Sequence, residues 1–222
     1  MGTLYLVRHG QASFGAQDYD QLSPLGHQQS VRLGEYWRSK GLTFDTVITG
    51  TLRRQTQTWA GIAEGAHYRN EVLAREDLNE FDSAALIATV HPHPLEKPDT
   101  PELYRHHFRL LRDGLTQWMN GVTSPQGMPS YREFRRGVVS ALSHIRSHCE
   151  GNVLIVSSGG PIATAVGHVL GTTPETMIEL NMRLRNSAVT EFAFNSKRHT
   201  LLTYNTLAHL DQAEHASWIT YA

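Results

Sequence analysis

The run Val153-Leu154-Ile155-Val156-Ser157 is the strongest constraint in this 222-residue chain. Four consecutive aliphatic residues cannot alternate between a core face and a wet face. The segment therefore reads as a strand buried on both sides, of the kind that parallel sheets place between layers of helices. Ser158-Gly159-Gly160-Pro161 follows at once, and proline at a first helical position starts a helix, here to about Leu170. The same unit occurs twice more. Thr3–Val7 (TLYLV) runs into Arg8-His9-Gly10, and Phe44–Thr49 (FDTVIT) runs into a helix over Leu52–Glu64 that Gly65 can close.

The remaining elements follow from local punctuation. Ser23-Pro24 reads as an N-cap and first turn, with a helix to about Lys40 and Gly41 as its stop. Ser130 opens a helix to about Cys149, with Glu133 placed for a capping box and Gly151-Asn152 as the turn after it. Ser187–Phe194 and His199–Tyr204 alternate as two strands, joined by a hairpin loop at Asn195–Arg198. From about Leu73 to Gln126 the chain is broken by His91-Pro92-His93-Pro94 and Lys97-Pro98-Asp99-Thr100-Pro101. That stretch is expected to be an irregular insertion over one face of the sheet, with one helix at Glu102–Asn120. The fold class is α/β: a three-layer α/β/α sandwich with a mostly parallel central sheet, one domain over residues 1–222, and a helical lid insertion at about 80–129.

Composition narrows the function. The formal charge of −1 offers no global field for nucleic acid or an anionic membrane, so a small anionic substrate would need a local cluster of cations. No apolar run approaches the ~20 residues of a membrane span, and no leader-like segment opens the chain. The single cysteine, Cys149, excludes a disulfide within the chain and fits a reducing compartment, so a cytoplasmic location is expected. None of the thirteen histidines falls in a known zinc spacing, so no metal is assigned. The sequence does not specify an oligomeric state.

Three strand ends could carry chemistry. Ligand sites of open α/β sheets lie beyond the carboxyl ends of the strands. Arg8 and His9 sit at such an end, and Gly10 lets the backbone turn. A neutral imidazole is a nucleophile, and an adjacent guanidinium disfavours its protonation while offering donors to phosphate. Alone, the triplet is equally an ordinary polar strand end. Thr51–Thr58 opens a helix whose N-terminus offers unpaired N–H groups to an anion, and Arg54 adds a forked donor. Alone, it is a solvated basic turn. The Ser158-Gly159-Gly160 loop is a third strand end feeding a helix N-terminus. Three such loops on one sheet edge favour a phosphate site.

These segments resemble the histidine phosphatase superfamily, also called phosphoglycerate-mutase-like, over nearly the whole chain. Val7-Arg8-His9-Gly10 matches its defining Arg-His-Gly, and Leu22-Ser23-Pro24-Leu25-Gly26 its usual helix entry. Leu52-Arg53-Arg54-Gln55-Thr56-Gln57-Thr58 matches its Leu-x-Arg-x-x-Gln-Thr pattern, which makes Arg54 rather than Arg53 the phosphate ligand. Leu78-Asn79-Glu80 matches the segment holding its acid, and Ser157-Ser158-Gly159-Gly160 its final loop. The resemblance implies a phosphomonoesterase acting through phosphohistidine on a small phosphorylated substrate. His9 is then the nucleophile, Glu80 the proton donor and acceptor, and Arg8, Arg54, Ser158 and Gly159 the phosphate-binding set. No metal or other cofactor is implied.

Two departures matter. Ser158 stands where the family has a second histidine, and losing one such donor costs about 10²–10³ in rate. His168, His209 and His27 are the other histidines considered for that place; a structural role is expected for His209, and His168 should not reach. A phosphate-binding protein with weak or no turnover is therefore the alternative. Gln11-Ala12-Ser13-Phe14-Gly15 and Asp18-Tyr19-Asp20 replace the segment that phosphoglycerate mutases use after the nucleophile, so a mutase-type transferase ranks last. Phe81, Tyr104, His106, His107 and Trp118 are candidate pocket contacts, with Trp118 expected to pack instead.

Overall fold

A computed structural model describes residues 1–13, 19–95 and 100–221 of the chain. Lys97, Pro98 and Asp99 of the proline-rich punctuation, and Phe14, Gly15 and Asp18 of the segment compared with mutases, lie outside the described residues. The strands are β1 (Gly2–Arg8), β2 (Thr46–Thr49), β3 (Val72–Ala74), β4 (Gly151–Ser157), β5 (Val189–Phe194) and β6 (His199–Thr206). They form one sheet in the order β3-β2-β4-β1-β5-β6. The pairs β3–β2, β2–β4 and β4–β1 are parallel, while β5 runs antiparallel to β1 and β6 to β5. The sheet is mixed and mostly parallel, with helices on both faces.

The two faces follow from the period-2 pleat. Leu4 and Leu6 of β1 and Val153 and Ile155 of β4 point into one core, and Val7, Leu154 and Val156 into the other. The second core is closed by α1 (Pro24–Ser39) and α2 (Arg53–Ala66) through Leu33, Trp37, Trp59 and Ile62. The first is closed by α3 (Ser83–Val90), α4 (Pro101–Met119), α5 (Tyr131–His148), α6 (Gly159–Leu170) and α7 (Pro174–Arg183). Trp118 is buried there, its indole N–H donating to Pro129 O at 3.1 Å.

Several expectations shift. The stretch after Leu73 is not irregular: it holds α3 as well as α4, and β3 precedes it. Helix α7 was not anticipated, although Thr173 caps it and Pro174 opens it. Gly65 does not end α2, which continues to Ala66 and closes on His67 in the left-handed conformation. A Cβ at Gly65 would lie 2.1 Å from Val31 O, so that glycine serves the close packing of α2 on α1. Cys149 caps α5 and is half-buried against the first core. Among the described residues, no helix is long and apolar enough to cross a membrane.

Candidate active site

Parallel pairing aligns the carboxyl ends of β1, β2 and β4, with Arg8 opposite Ser157 and Thr49 opposite Val156. The loops leaving these ends are therefore neighbours. His9, the residue after β1, is buried with its backbone N–H on Ser157 O at 2.9 Å. Its own carbonyl accepts from Ser187 N at 3.2 Å and from Asn186 Nδ2 at 3.3 Å. Gly10 has no room for a side chain, since a Cβ would lie 2.3 Å from Gly26 O.

The imidazole is fixed at both nitrogens. Nδ1 lies 2.7 Å from Gly10 O, which can only accept, so Nδ1 carries the proton. Nε2 is then the unprotonated nitrogen, and it accepts from Arg54 Nε at 3.2 Å. Burial, then the guanidinium groups of Arg8 and Arg54, hold the ring's pKa well below the ordinary 6.5, against the opposing hydrogen bond to Gly10. The side chain at position 9 is a neutral imidazole with its lone pair among cations.

Arg8 is anchored by Nη1, which donates to Leu184 O and, at 2.8 Å, to Tyr221 O. Its buried Nε has no partner among the described residues. Arg54 enters from the first turn of α2, where Nη1 pairs with Asp20 at 2.8 Å. The same carboxylate accepts from the backbone N–H of Arg53 at 2.8 Å. Asp20 thus occupies donors of the helix N-terminus and of the guanidinium, in the way an anionic ligand would.

Glu80 sits opposite, against the start of α6. Its oxygens accept from Gly160 N at 3.0 and 3.2 Å and from Phe81 N at 3.2 Å. A Cβ on Gly160 would lie 2.2 Å from Glu80 Oε1, so this approach requires glycine. Burial raises the carboxyl pKa, outweighing the N–H of Gly160 and the charges of Arg54 and Arg8.

Arg8, His9, Arg54 and Glu80 border one cavity of about 930 Å³. Ser158 and Gly159 are buried and do not border it. Ser158 Oγ accepts from Gln55 Nε2 at 2.9 Å, and the same amide nitrogen donates to Leu78 O at 3.1 Å. Phe81, Tyr104 and His107 reach the cavity wall, whereas His106 lines a smaller neighbouring one.

The histidine phosphatase superfamily (branch 1) model matches residues 4–207, nearly the whole chain. The chain belongs to this superfamily. Among curated relatives, a protein of Hydrogenobacter thermophilus provisionally assigned as phosphoserine phosphatase 2 is 25% identical over 96% of this chain and 99% of its own length. Mycobacterial glucosyl-3-phosphoglycerate phosphatase with inorganic phosphate superposes with a TM-score of 0.68 at 19% identity, covering 95% of this chain and 100% of that one. A phosphoglycerate mutase from Bacillus anthracis gives 0.66 at 16% identity, over 94% of each chain. At these identities the two structures establish the phosphoglycerate-mutase-like fold.

Within this superfamily fold, none of the three histidines weighed for the place of Ser158 lines the His9 cavity. His209 shares a hydrogen bond with Ser187 Oγ at 2.9 Å, and burial lowers its pKa to about 3. His27 is exposed and 3.3 Å from Glu64, and His168 lies 3.3 Å from Arg135 Nη2. Sequence reasoning missed Asp20, Gln55 and the arginines of α4. Gln55 stands in the Leu-x-Arg-x-x-Gln-Thr match itself; Asp20 had no signal besides its place after the nucleophile.

Proposed function

We propose that this protein is a phosphomonoesterase that hydrolyses a small phosphorylated substrate through a phosphohistidine at His9. The observation that carries the reading is the state of that imidazole: neutral, with Nδ1–H held by Gly10 O and the Nε2 lone pair directed into a cluster of guanidinium groups.

Nε2 attacks phosphorus, a P–N bond forms and the P–O ester bond breaks. Arg54 and Arg8, both bordering the cavity, stabilise charge on the equatorial oxygens. Glu80, whose burial shifts its carboxyl toward the protonated form, donates a proton to the leaving alkoxide. Glu80 then takes a proton from water as that water attacks phosphorus and the P–N bond breaks. No residue in this sequence of steps calls for a metal ion. Ser158 and Gly159, buried and off the cavity wall, contribute only indirectly, through the loop that seats Gln55 and Glu80.

One observation favours a second reading, binding with little turnover. Ser158 carries no charge, and its oxygen is already engaged by Gln55. The discriminating experiment is hydrolysis of p-nitrophenyl phosphate from about pH 5 to about pH 8 in EDTA. Turnover that disappears in His9→Ala supports the enzyme. Phosphate binding without turnover supports the second reading, and Ser158→His should then raise the rate by up to about 10². A rate untouched by Ser158→His contradicts this account of position 158.

A further inference from the structure

We propose that Asn181, near the end of α7, donates to a phosphoryl oxygen in the His9 site and so fills the place that Ser158 leaves without a donor. The inference rests on the reading of the His9 cavity as the phosphoryl site and adds to it a residue outside every motif of the sequence.

The first support is geometry. Asn181 borders the same cavity as Arg8, His9, Arg54 and Glu80. It is half-buried, and its carboxamide has no hydrogen-bond partner in the protein among the described residues. The side chain lies against the first residue of α6, directly after Ser158. A Cβ built on Gly159 would stand 2.3 Å from Asn181 Oδ1 and 3.7 Å from Glu80 Oε2. Amide and carboxyl group therefore flank one point where the loop from β4 enters α6. Ser158 itself is buried off the cavity wall, with its hydroxyl engaged by Gln55. The helix fixes the placement of Asn181. Met177 and Ile178 are the buried residues of α7, and Asn181 follows them at helical spacing on the same face. Met177 seats against Gly167 of α6, where a Cβ would lie 2.2 Å from Met177 Cγ. Leu180 O accepts from the Tyr204 hydroxyl at 2.6 Å, and Asn181 O from Leu184 N at 3.2 Å. The end of α7 is thus held in place by the protein alone.

The second support is chemistry. Nδ2 of a carboxamide carries two N–H donors and no charge. Phosphoryl transfer spreads charge over three equatorial oxygens. Arg8 and Arg54 border the cavity from the carboxyl ends of β1 and β2, and Asn181 borders it from the side of α6. A further cation beside Glu80 would favour the carboxylate and draw off the proton that the leaving group needs; a neutral amide does not. One preorganised donor of this kind is worth about 10²–10³ in rate, the same scale as the donor lost at position 158.

The test compares the full chain with Asn181→Ala and with the isosteric Asn181→Asp, which replaces the donor by an acceptor. Two esters separate the phosphoryl group from the acid: p-nitrophenyl phosphate, whose leaving group needs no proton, and glycerol 2-phosphate, whose alkoxide does. Asn181→Ala should lower kcat/KM by about 10² for both, and Asn181→Asp should lower it further. Orthovanadate, in its five-coordinate form, presents the equatorial oxygens of the transition state. Its dissociation constant, measured by equilibrium binding without EDTA, should rise by about the same 10². Thr176→Ala, on the exposed side of α7 and off the cavity, controls for loosening of the helix and should leave kcat/KM unchanged. Native kcat/KM in Asn181→Ala overturns the proposal while leaving hydrolysis at His9 intact. A loss confined to glycerol 2-phosphate overturns it too, because Asn181 would then act through Glu80, and so does an equal loss in Thr176→Ala. A native chain that hydrolyses neither ester counts against the phosphatase reading alone if it binds orthovanadate and Asn181→Ala weakens that binding. Orthovanadate affinity unchanged by Asn181→Ala, or no binding by the native chain, overturns the donor role.

Discussion

In the proposed phosphoryl site, Asp20 both holds Arg54 and competes with the phosphoryl group for its donors. Its carboxylate accepts from Arg53 N and Arg54 Nη1, each at 2.8 Å, and a dianionic ligand needs those same donors. Asp20→Asn weakens the competitor without removing its shape. It should therefore lower the inhibition constant of inorganic phosphate by about three- to tenfold, within the range of one charge-assisted interaction; weaker inhibition by phosphate would show that Asp20 instead positions Arg54. A second prediction concerns pH. His9 is held neutral far into acid, and Glu80 is held protonated above its ordinary 4.5. The profile of kcat/KM should fall on the alkaline side as Glu80 loses its proton, and on the acid side only as His9 gains one. Glu80→Gln should remove the alkaline limb, and a limb that persists would assign it to another group. That His9 and Arg54 meet at one sheet edge was legible because each sits in a contiguous strand-end motif. Asp20 was not, because its role is set by a contact across 34 residues with a helix N-terminus.

At the scale of elements, local chemistry and tertiary context divide cleanly. The Ser130–Glu133 capping box is present in both directions, with Glu133 N on Ser130 Oγ at 3.3 Å and Ser130 N on Glu133 Oε2 at 2.9 Å. Ser130→Ala should cost about 1 kcal/mol, read as a fall of about 2–4 °C in Tm for a chain of this size. No change in Tm would mean that α5 is held by packing alone. Such caps, like Ser23-Pro24, are local and were read correctly from the sequence. Helix α3 spans only Ser83–Val90, too short to display a 3.6-residue stripe, and β3 is three exposed residues defined by pairing with β2. Gly65 looked like a terminator because glycine is the usual helix stop, yet helix packing required it.

For the whole molecule, buried neutral histidines couple stability to acid. Burial lowers His209 to about 3 and His199 to about 4, and takes His9 well below 6.5. The unfolded chain binds protons at these rings near 6.5, so unfolding takes up protons and stability falls as pH drops from there toward about 4. His209 alone should cost about 2 kcal/mol between about pH 7 and pH 5, so Tm should fall by several degrees over that interval. A His209→Asn variant should flatten the decline; an unchanged slope would refute the assignment. Glu80 has the opposite sign: its contribution is present below 4.5 and lost as pH rises through its raised folded value. The parallel α/β architecture was legible because the runs of β1 and β4 are apolar on both faces, whereas the α4 wall of the cavity is assembled from residues more than 90 positions away from His9 and carries no motif.

The central claim is that His9 accepts the phosphoryl group. Rapid acid-free quenching of the native chain with a phosphomonoester, followed by mass spectrometry under alkaline conditions that preserve P–N bonds, tests it directly. The account predicts one phosphoryl group on the peptide containing His9, chased away on further incubation and missing from His9→Ala. Undiminished hydrolysis by His9→Ala, or a phosphoryl group on any other residue, would contradict it.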